Sequence, residues 1–216
     1  MRKYEKIETL FARDMEGTKK LMPDVFRDPT IEFLQYCDWV WTEKVDGTNI
    51  RVYWDGHKVT FGGRTDNASI PAELVTRLNE LFGGETNAQI FEQAFGDKEV
   101  ILFGEGYGRK IQKGGGKYIA DGVDFILFDV LIGENYQPRE WVEQTAKMFG
   151  IKIVPIVGGG SLEDAVNYVK KHPNSVIAED VREMEGIVCR PAVELRDRRG
   201  NRVIVKVKYE DFKELI

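Results

Sequence analysis

Trp39-Val40-Trp41-Thr42-Glu43-Lys44-Val45-Asp46-Gly47-Thr48-Asn49-Ile50-Arg51-Val52-Tyr53-Trp54 is the stretch on which the reading of this chain turns. Its β-branched and aromatic residues suit a pleated strand. Asp55-Gly56 then offers a hairpin turn into a second strand over 57–62. Within the run, Lys44 follows an apolar segment and precedes an acid, a turn glycine, a threonine and an amide. Partial desolvation disfavours the charged form of such a lysine and leaves a nucleophilic amine. A solvated strand end has the same appearance, so the stretch alone leaves both readings open.

Working outward, Pro71 opens a helix with Leu74, Leu78, Leu81 and Phe82 on one face, and Gly83 ends it. A short helix is expected over Ala88–Phe95, stopped by Gly96. Val100–Phe103 and Phe125–Ile132 are apolar strands with the composition of segments buried on both faces. A helix runs from Pro138 to Phe149, with Gly150 at its end. Ser161 caps another helix, with Asp164 in the capping-box position and Pro173 beyond the stop. Strands return at Gly186–Arg190, Val193–Arg196 and Arg202–Tyr209. Hairpins outnumber strand-helix-strand units, so the fold class is α+β with antiparallel sheets flanked by helices.

With 216 residues, no internal repeat and no long linker, the chain is expected to be a single domain over 1–216. No apolar run approaches the roughly 20 residues that span a membrane. The start of the chain lacks the apolar core of a signal peptide. Cys37 and Cys189 are too few for a disulfide framework and suit a reducing cytoplasm. His57 and His172 stand alone, without zinc-ligand spacing. A net charge of −5 argues against indiscriminate coating of nucleic acid, while leaving room for a local basic groove. Arg109, Lys110, Lys113 and Lys117 gather around a glycine-rich loop, and Arg196, Arg198, Arg199 and Arg202 around Gly200-Asn201. Both sets also fit plain solvated loops.

Five further segments are polar where a core strand should be apolar. Gly62-Gly63-Arg64-Thr65 puts an arginine past a strand end, and Phe103-Gly104-Glu105-Gly106-Tyr107-Gly108 puts a carboxylate between glycines. Phe125-Ile126-Leu127-Phe128-Asp129 carries aromatics and an acid. Glu185-Gly186-Ile187-Val188 starts with a carboxylate. Lys206-Val207-Lys208 projects two ammonium groups from one strand face.

In order and content these segments resemble the motifs of the covalent nucleotidyltransferase superfamily, which contains ATP-dependent ligases and mRNA capping enzymes. Lys44-Val45-Asp46-Gly47-Thr48-Asn49 matches the first motif, and Arg64 the arginine after it. Glu105 matches the third motif, Phe128 the aromatic of the next strand, Glu185 the fourth, and Lys206 with Lys208 the fifth. Thr48-Asn49, Ile111-Gln112-Lys113 and Gly200-Asn201-Arg202-Val203 are similar to the phage RNA ligase 2 group, which includes the trypanosome editing ligases. Asp46 departs from that group, which often has histidine there.

The resemblance implies a nucleotidyltransferase (adenylation) fold and an ATP-dependent RNA ligase. Lys44 would attack the α-phosphorus of ATP to give a lysyl-adenylate. The neutral amine this requires is favoured by like charge from Lys206 and Lys208, which would also neutralise the α-phosphate. Glu185 and Asp46 would hold Mg²⁺ through water. Glu105 would accept from a ribose hydroxyl, Phe128 would stack on adenine, and Asn49 and Arg64 would bind ribose or phosphate oxygens. Glu43 and the Val45 backbone would read the adenine edge. AMP would pass to an RNA 5′-phosphate and a 3′-hydroxyl would displace it, with Arg109, Lys110, Lys113 and Lys117 on RNA phosphates.

Competing readings are weaker. Gly116-Lys117 lacks the glycine five residues earlier that a Walker loop needs, and Gly104–Gly108 fails the dinucleotide spacing. Only 43 residues precede Lys44, too few for a nicotinamide-binding domain. Only Tyr209–Ile216 follows Lys208, too few for the oligonucleotide-binding domain of capping enzymes and DNA ligases, so no C-terminal accessory domain is expected within 1–216: the chain is either a minimal ligase or a catalytic fragment whose C-terminal domain is separate or missing. The alternatives are a DNA ligase catalytic domain and a non-catalytic nucleotide- or RNA-binding module. A monomer acting in the cytoplasm, its own or that of a host to a virus, completes the expectation.

Overall fold

The computed structural model describes residues 1–213. Two compact units interleave along the chain: one of Met1–Glu5, Asp46–Val154 and Ala178–Asp180, the other of Lys6–Val45, Pro155–Ile177 and Val181–Ile216. In chain order the strands are β1 (Glu8–Thr9), β2 (Phe11–Arg13), β3 (Leu21–Phe26), β4 (Trp39–Glu43), β5 (Thr48–Trp54), β6 (Val59–Gly62), β7 (Val100–Gly108), β8 (Val123–Ile132), β9 (Asn135–Tyr136), β10 (Lys152–Ile153), β11 (Ile156–Gly160), β12 (Gly186–Pro191) and β13 (Val205–Lys208). The helices are α1 (Pro29–Phe33), α2 (Ala72–Phe82), α3 (Gly84–Phe95), α4 (Arg139–Phe149) and α5 (Leu162–Lys170).

The first unit is a sheet ordered β10-β8-β7-β5-β6, with β9 on β8; only β10·β8 is parallel. One face packs α2 and α4 on β8, burying Leu74, Leu78, Phe82, Phe91, Phe125 and Phe149. Phe82 is fully buried, 5.4 Å from Phe125 and 5.5 Å from Phe149 between ring centroids. Its replacement by alanine removes a ring the surrounding core cannot refill. Phe82→Ala is expected to cost about 3–5 kcal/mol in urea unfolding, and a loss below about 1 kcal/mol would contradict this packing. The opposite face carries a smaller cluster of Ile101, Phe103, Leu131 and Tyr136.

The second unit is a sheet ordered β1-β13-β12-β4-β11, antiparallel except for β1·β13, with a β2–β3 ribbon. Helix α5 covers it through Leu162, Ala165, Val166 and Val169. Its start is fixed by the predicted capping box: Asp164 N–H donates to Ser161 Oγ at 3.1 Å and Ser161 N–H to Asp164 Oδ2 at 2.9 Å. The α+β class with antiparallel sheets flanked by helices is therefore observed. Among the described residues, no helix is long and apolar enough to cross a membrane.

Three expected elements differ. The strand expected over 39–54 is two strands in different sheets, interrupted at Lys44–Gly47. Lys44 N–H makes a last bond to Gly186 O at 2.9 Å before the chain turns away. Gly47 permits the turn, because a side chain there would collide with the Gly106 carbonyl and approach Glu105 Cγ to 2.8 Å. Helix α3 starts at Gly84, four residues before the expected Ala88. The low helix propensity of Gly, Thr and Asn hides those residues from a propensity reading, yet the burial of Phe91 and Phe95 anchors the helix that contains them. The strand expected over Val193–Arg196 is reduced to a single bridge, Arg196 to Arg202.

Candidate active site

Strands β4, β12 and β13 of the second unit bring together three of the residues singled out from the sequence, Lys44, Glu185 and Lys208. Register places Ile187 opposite Glu43 and Gly186 opposite Lys208. Any side chain at Gly186 would strike the Val207 carbonyl, so β13 lies close against the start of β12. Glu185 thereby reaches two ammonium groups: Lys44 Nζ donates to its Oε2 at 2.5 Å and Lys208 Nζ lies 3.1 Å from its Oε1. All three side chains are mostly but not fully buried, at 26%, 19% and 25% exposure for Lys44, Glu185 and Lys208. Burial works against the Lys208 ammonium, but the Glu185 charge and hydrogen bond outweigh it and raise its pKa. The alternation expected of Lys206-Val207-Lys208 holds, with Val205 and Val207 inward and both lysines on the other face. What the sequence did not disclose is the carboxylate held between Lys44 and Lys208.

Glu43 is nearly fully buried, and its carboxylate accepts from the Ser175 hydroxyl and, at 2.9 Å, from Val176 N–H. Val45 is buried beside it in sequence. Burial pushes the Glu43 carboxyl above its ordinary value, against the lowering effect of the Ser175 and Val176 bonds. A raised folded value means that the native protein binds this proton more tightly than the unfolded chain. The favourable contribution is thus complete below the ordinary value of 4.5 and is lost as pH rises through the folded value. Glu43→Gln does not titrate, so its stability relative to the parent is expected to improve from pH 4.5 toward neutrality. Urea midpoints at several pH values check this, and a constant gap would contradict it.

The first unit carries the other candidates. Asn49 on β5 pairs with Glu105 on β7. Asn49 Oδ1 is buried without a hydrogen-bond partner among the described residues. A buried acceptor without a protein partner suits a ligand donor such as a ribose hydroxyl. Phe128 is the extra residue of a bulge in β8, since Phe103 pairs with Asp129 and Gly104 with Leu127. Both Phe128 and the buried Asp129 meet Tyr4, whose ring lies edge-on to Phe128 at 5.0 Å and whose hydroxyl donates to Asp129 Oδ2 at 2.5 Å. Arg64 is exposed just past β6. Its neighbour Gly63 is held by the fully buried Arg51, whose Nε donates to the Gly63 carbonyl at 2.7 Å.

Arg109, Lys110, Lys113 and Lys117 are all exposed on the loop after β7, and Arg109 pairs with Asp121 at 2.7 Å. On the same loop, Gln112 Nε2 donates to Gly47 O at 3.1 Å and the buried Tyr118 hydroxyl accepts from Asp46 N–H at 3.1 Å. Ser175, Tyr4 and Tyr118 were missed in the sequence because nothing in their local pattern distinguishes them from ordinary loop or core residues. Gln112 carried a signal, since its triplet stood out. Among the described residues, no group of three or more His, Cys, Asp or Glu side chains could hold a metal alone. A hydrated Mg²⁺ that shares nucleotide phosphates needs only one or two carboxylates, a demand that a single carboxylate such as Glu185 can meet.

The model of a family described as RNA ligase matches residues 38–208. A variant of Naegleria gruberi RNA ligase with ATP and Mn superposes with a TM-score of 0.67 at 18% identity, covering 100% of this chain and 58% of that one. Another variant of it, with AMP and Mn, gives 0.64 at 18% identity over 97% and 63% of the two chains. The same ligase with PPi gives 0.62 at 20% identity over 98% and 63%. The chain thus spans about three-fifths of the length of these solved chains, and at such identities the likeness concerns the fold. With the family's model matched over most of its length, the chain belongs to the RNA ligase family.

Proposed function

We propose that this protein is an ATP-dependent RNA ligase working through a covalent lysyl-adenylate. The observation that carries the reading is the Lys44–Glu185–Lys208 cluster, a candidate nucleophile and two charged groups converging at the ends of three strands. Its support is the family membership and the ATP, AMP and PPi named with the similar Naegleria gruberi structures. In this reading the single adenylation module expected from the sequence comprises both units.

Lys44 Nζ, held by Glu185 Oε2, gives up a proton to solvent and leaves the carboxylate charged. The free amine attacks the α-phosphorus of ATP: a P–N bond forms, the bond to the bridging oxygen breaks, pyrophosphate leaves, and the amine's second proton passes to solvent. Lys206 and Lys208 present positive charge where the α-phosphate accumulates negative charge. When bound, Mg²⁺ held through water by Glu185 and Asp46 would offset charge on the phosphates. Phe128 offers a face to adenine, and the Val45 backbone reads its edge, with Glu43 beside it held by Ser175 and Val176. Glu105, Asn49 and Arg64 take ribose and phosphate oxygens. An RNA 5′-phosphate oxygen then displaces Lys44 to form a phosphoanhydride with AMP, and an RNA 3′-hydroxyl displaces AMP to close the strand. Arg109, Lys110, Lys113 and Lys117 supply sequence-independent contacts to RNA phosphates.

The test is incubation with ATP labelled at the α-phosphate and Mg²⁺. Label is expected to remain on the denatured chain, to be released by pyrophosphate, and to move to RNA bearing a 5′-phosphate. A chain that stays unlabelled would leave a non-catalytic binding module. Equal sealing of matched RNA and DNA nicks would make it a general polynucleotide ligase.

A further inference from the structure

We propose that Tyr118 is a positioning residue that fixes the Asp46-Gly47 turn, two residues after the nucleophile, and that the basic glycine-rich loop acts on the turn through it. The proposal rests on the adenylation reading above. Tyr118 is fully buried, although Lys113, Lys117 and Ala120 around it are exposed. Its ring stands edge-on to the buried Tyr107 at 5.7 Å. The Tyr107 hydroxyl in turn lies 3.3 Å from Lys152 Nζ, which also faces Asp124 at 3.8 Å.

The Tyr118 backbone is held on both sides. Its N–H donates to Gly115 O at 2.9 Å and its carbonyl accepts from Glu179 N–H at 3.2 Å. Asp180 N–H donates to Lys117 O at 3.1 Å, and Ala120 N–H to Glu179 Oε2 at 3.2 Å. The strap Ala178–Asp180 therefore stitches the loop into the first unit. From that fixed base the Tyr118 hydroxyl accepts the Asp46 amide at 3.1 Å, and Gln112 Nε2 meets the Gly47 carbonyl at 3.1 Å. The Gly106 carbonyl blocks the remaining side of Gly47.

A phenylalanine would fill the same space against Tyr107 but would offer no oxygen to the Asp46 amide, which the hydroxyl accepts at 3.1 Å. The turn carries Asp46, a proposed metal-holding carboxylate, and follows Lys44 by two residues in the chain. The loop that grips it also carries the four cations proposed for RNA phosphates. Seating RNA on those cations therefore acts on a segment tied by two side-chain hydrogen bonds to the backbone beside the nucleophile.

Tyr118→Phe keeps the ring and removes the acceptor. Misalignment of this order slows a positioned reaction by about 10- to 100-fold, so the adenylation rate at saturating ATP should fall by that factor. The KM for ATP should stay within about threefold of the parent, as for an interaction realised in the transition state. Amide exchange at Asp46 should quicken by at least about tenfold, with the thermal midpoint nearly unchanged. Gln112→Ala, which cuts the neighbouring bond from an exposed residue, should move rate and Gly47-region exchange in the same direction by less. Parent-like adenylation in both variants would overturn the proposal, as would a rate loss matched by a loss of folded protein with exchange unaltered. A parent that forms no adduct would instead overturn the adenylation reading. The exchange data would then decide by themselves whether Tyr118 holds the turn.

Discussion

Lys44→Ala is expected to abolish the covalent AMP adduct, with a fall in adenylation of at least about 10⁴-fold, as befits removal of a nucleophile. In the proposed reaction the ε-amine forms the P–N bond, and the neighbouring amine of Lys208 is committed to the same carboxylate at 3.1 Å and to Glu210 at 3.7 Å. Lys44→Arg separates charge from nucleophilicity. It retains a cation for Glu185, but a guanidinium stays protonated and does not attack phosphorus, so the adduct should vanish there too. Both variants should fold, because Glu185 retains its Lys208 partner. Sealing of RNA supplied already adenylated at its 5′ end should survive in both, since that step uses AMP as leaving group and needs no lysyl bond. Intact-mass measurement after incubation with ATP and a divalent ion reads the first result, and a gel-based sealing assay the second. An adduct of undiminished yield in Lys44→Ala would sink the assignment of the nucleophile.

Glu185→Gln is expected to lower adduct formation by about 10²–10³-fold, the range for removing a group aimed at developing charge in a site. The amide keeps the size of the side chain and one acceptor oxygen. It leaves the Lys44 and Lys208 ammonium groups facing each other without the charge that now lies between them, and it offers a poorer partner to hydrated Mg²⁺. The concentration of Mg²⁺ needed for half-maximal adenylation should therefore rise as the rate falls. Glu183→Gln, at a nearby exposed residue that pairs with His172 at 3.3 Å, is the control and should leave both quantities unchanged. A Glu185→Gln protein with the parent rate and the parent Mg²⁺ dependence would remove Glu185 from the machinery.

The elements most legible in the sequence were those governed by local chemistry. Helix α2 stops where Gly83 stands, α4 ends at Gly150 in the left-handed region with φ of 61°, and α5 begins on its Ser161–Asp164 box. Each signal depends on residues within a few positions of one another, so one chain suffices to read it. The strand expected over 39–54 failed for the opposite reason. Its continuous β propensity says nothing of which neighbour each half pairs with, and the break at Lys44–Gly47 is set by Gly186 and Gly106, both far away in sequence. Within the site, residue types and order made Lys44, Glu185, Lys206 and Lys208 visible. The state of their charges was not visible: a carboxylate bridges two lysines, where the sequence suggested only like-charge neighbours.

By itself, then, the sequence determined the α+β class, the ends of most helices and the identity of the residues worth testing. These follow from side-chain chemistry, periodicity and motif order. Only the tertiary structure decided that Glu185 joins Lys44 to Lys208, that Ser175 occupies the Glu43 carboxylate, that Tyr4 meets both Phe128 and Asp129, and that Tyr118 bonds the turn after Lys44. Each of these is a contact between residues tens to well over a hundred positions apart. Hydrogen bonds and ion pairs are decided by distances of a few ångströms, and strand register and loop closure set those distances only once the whole chain has folded.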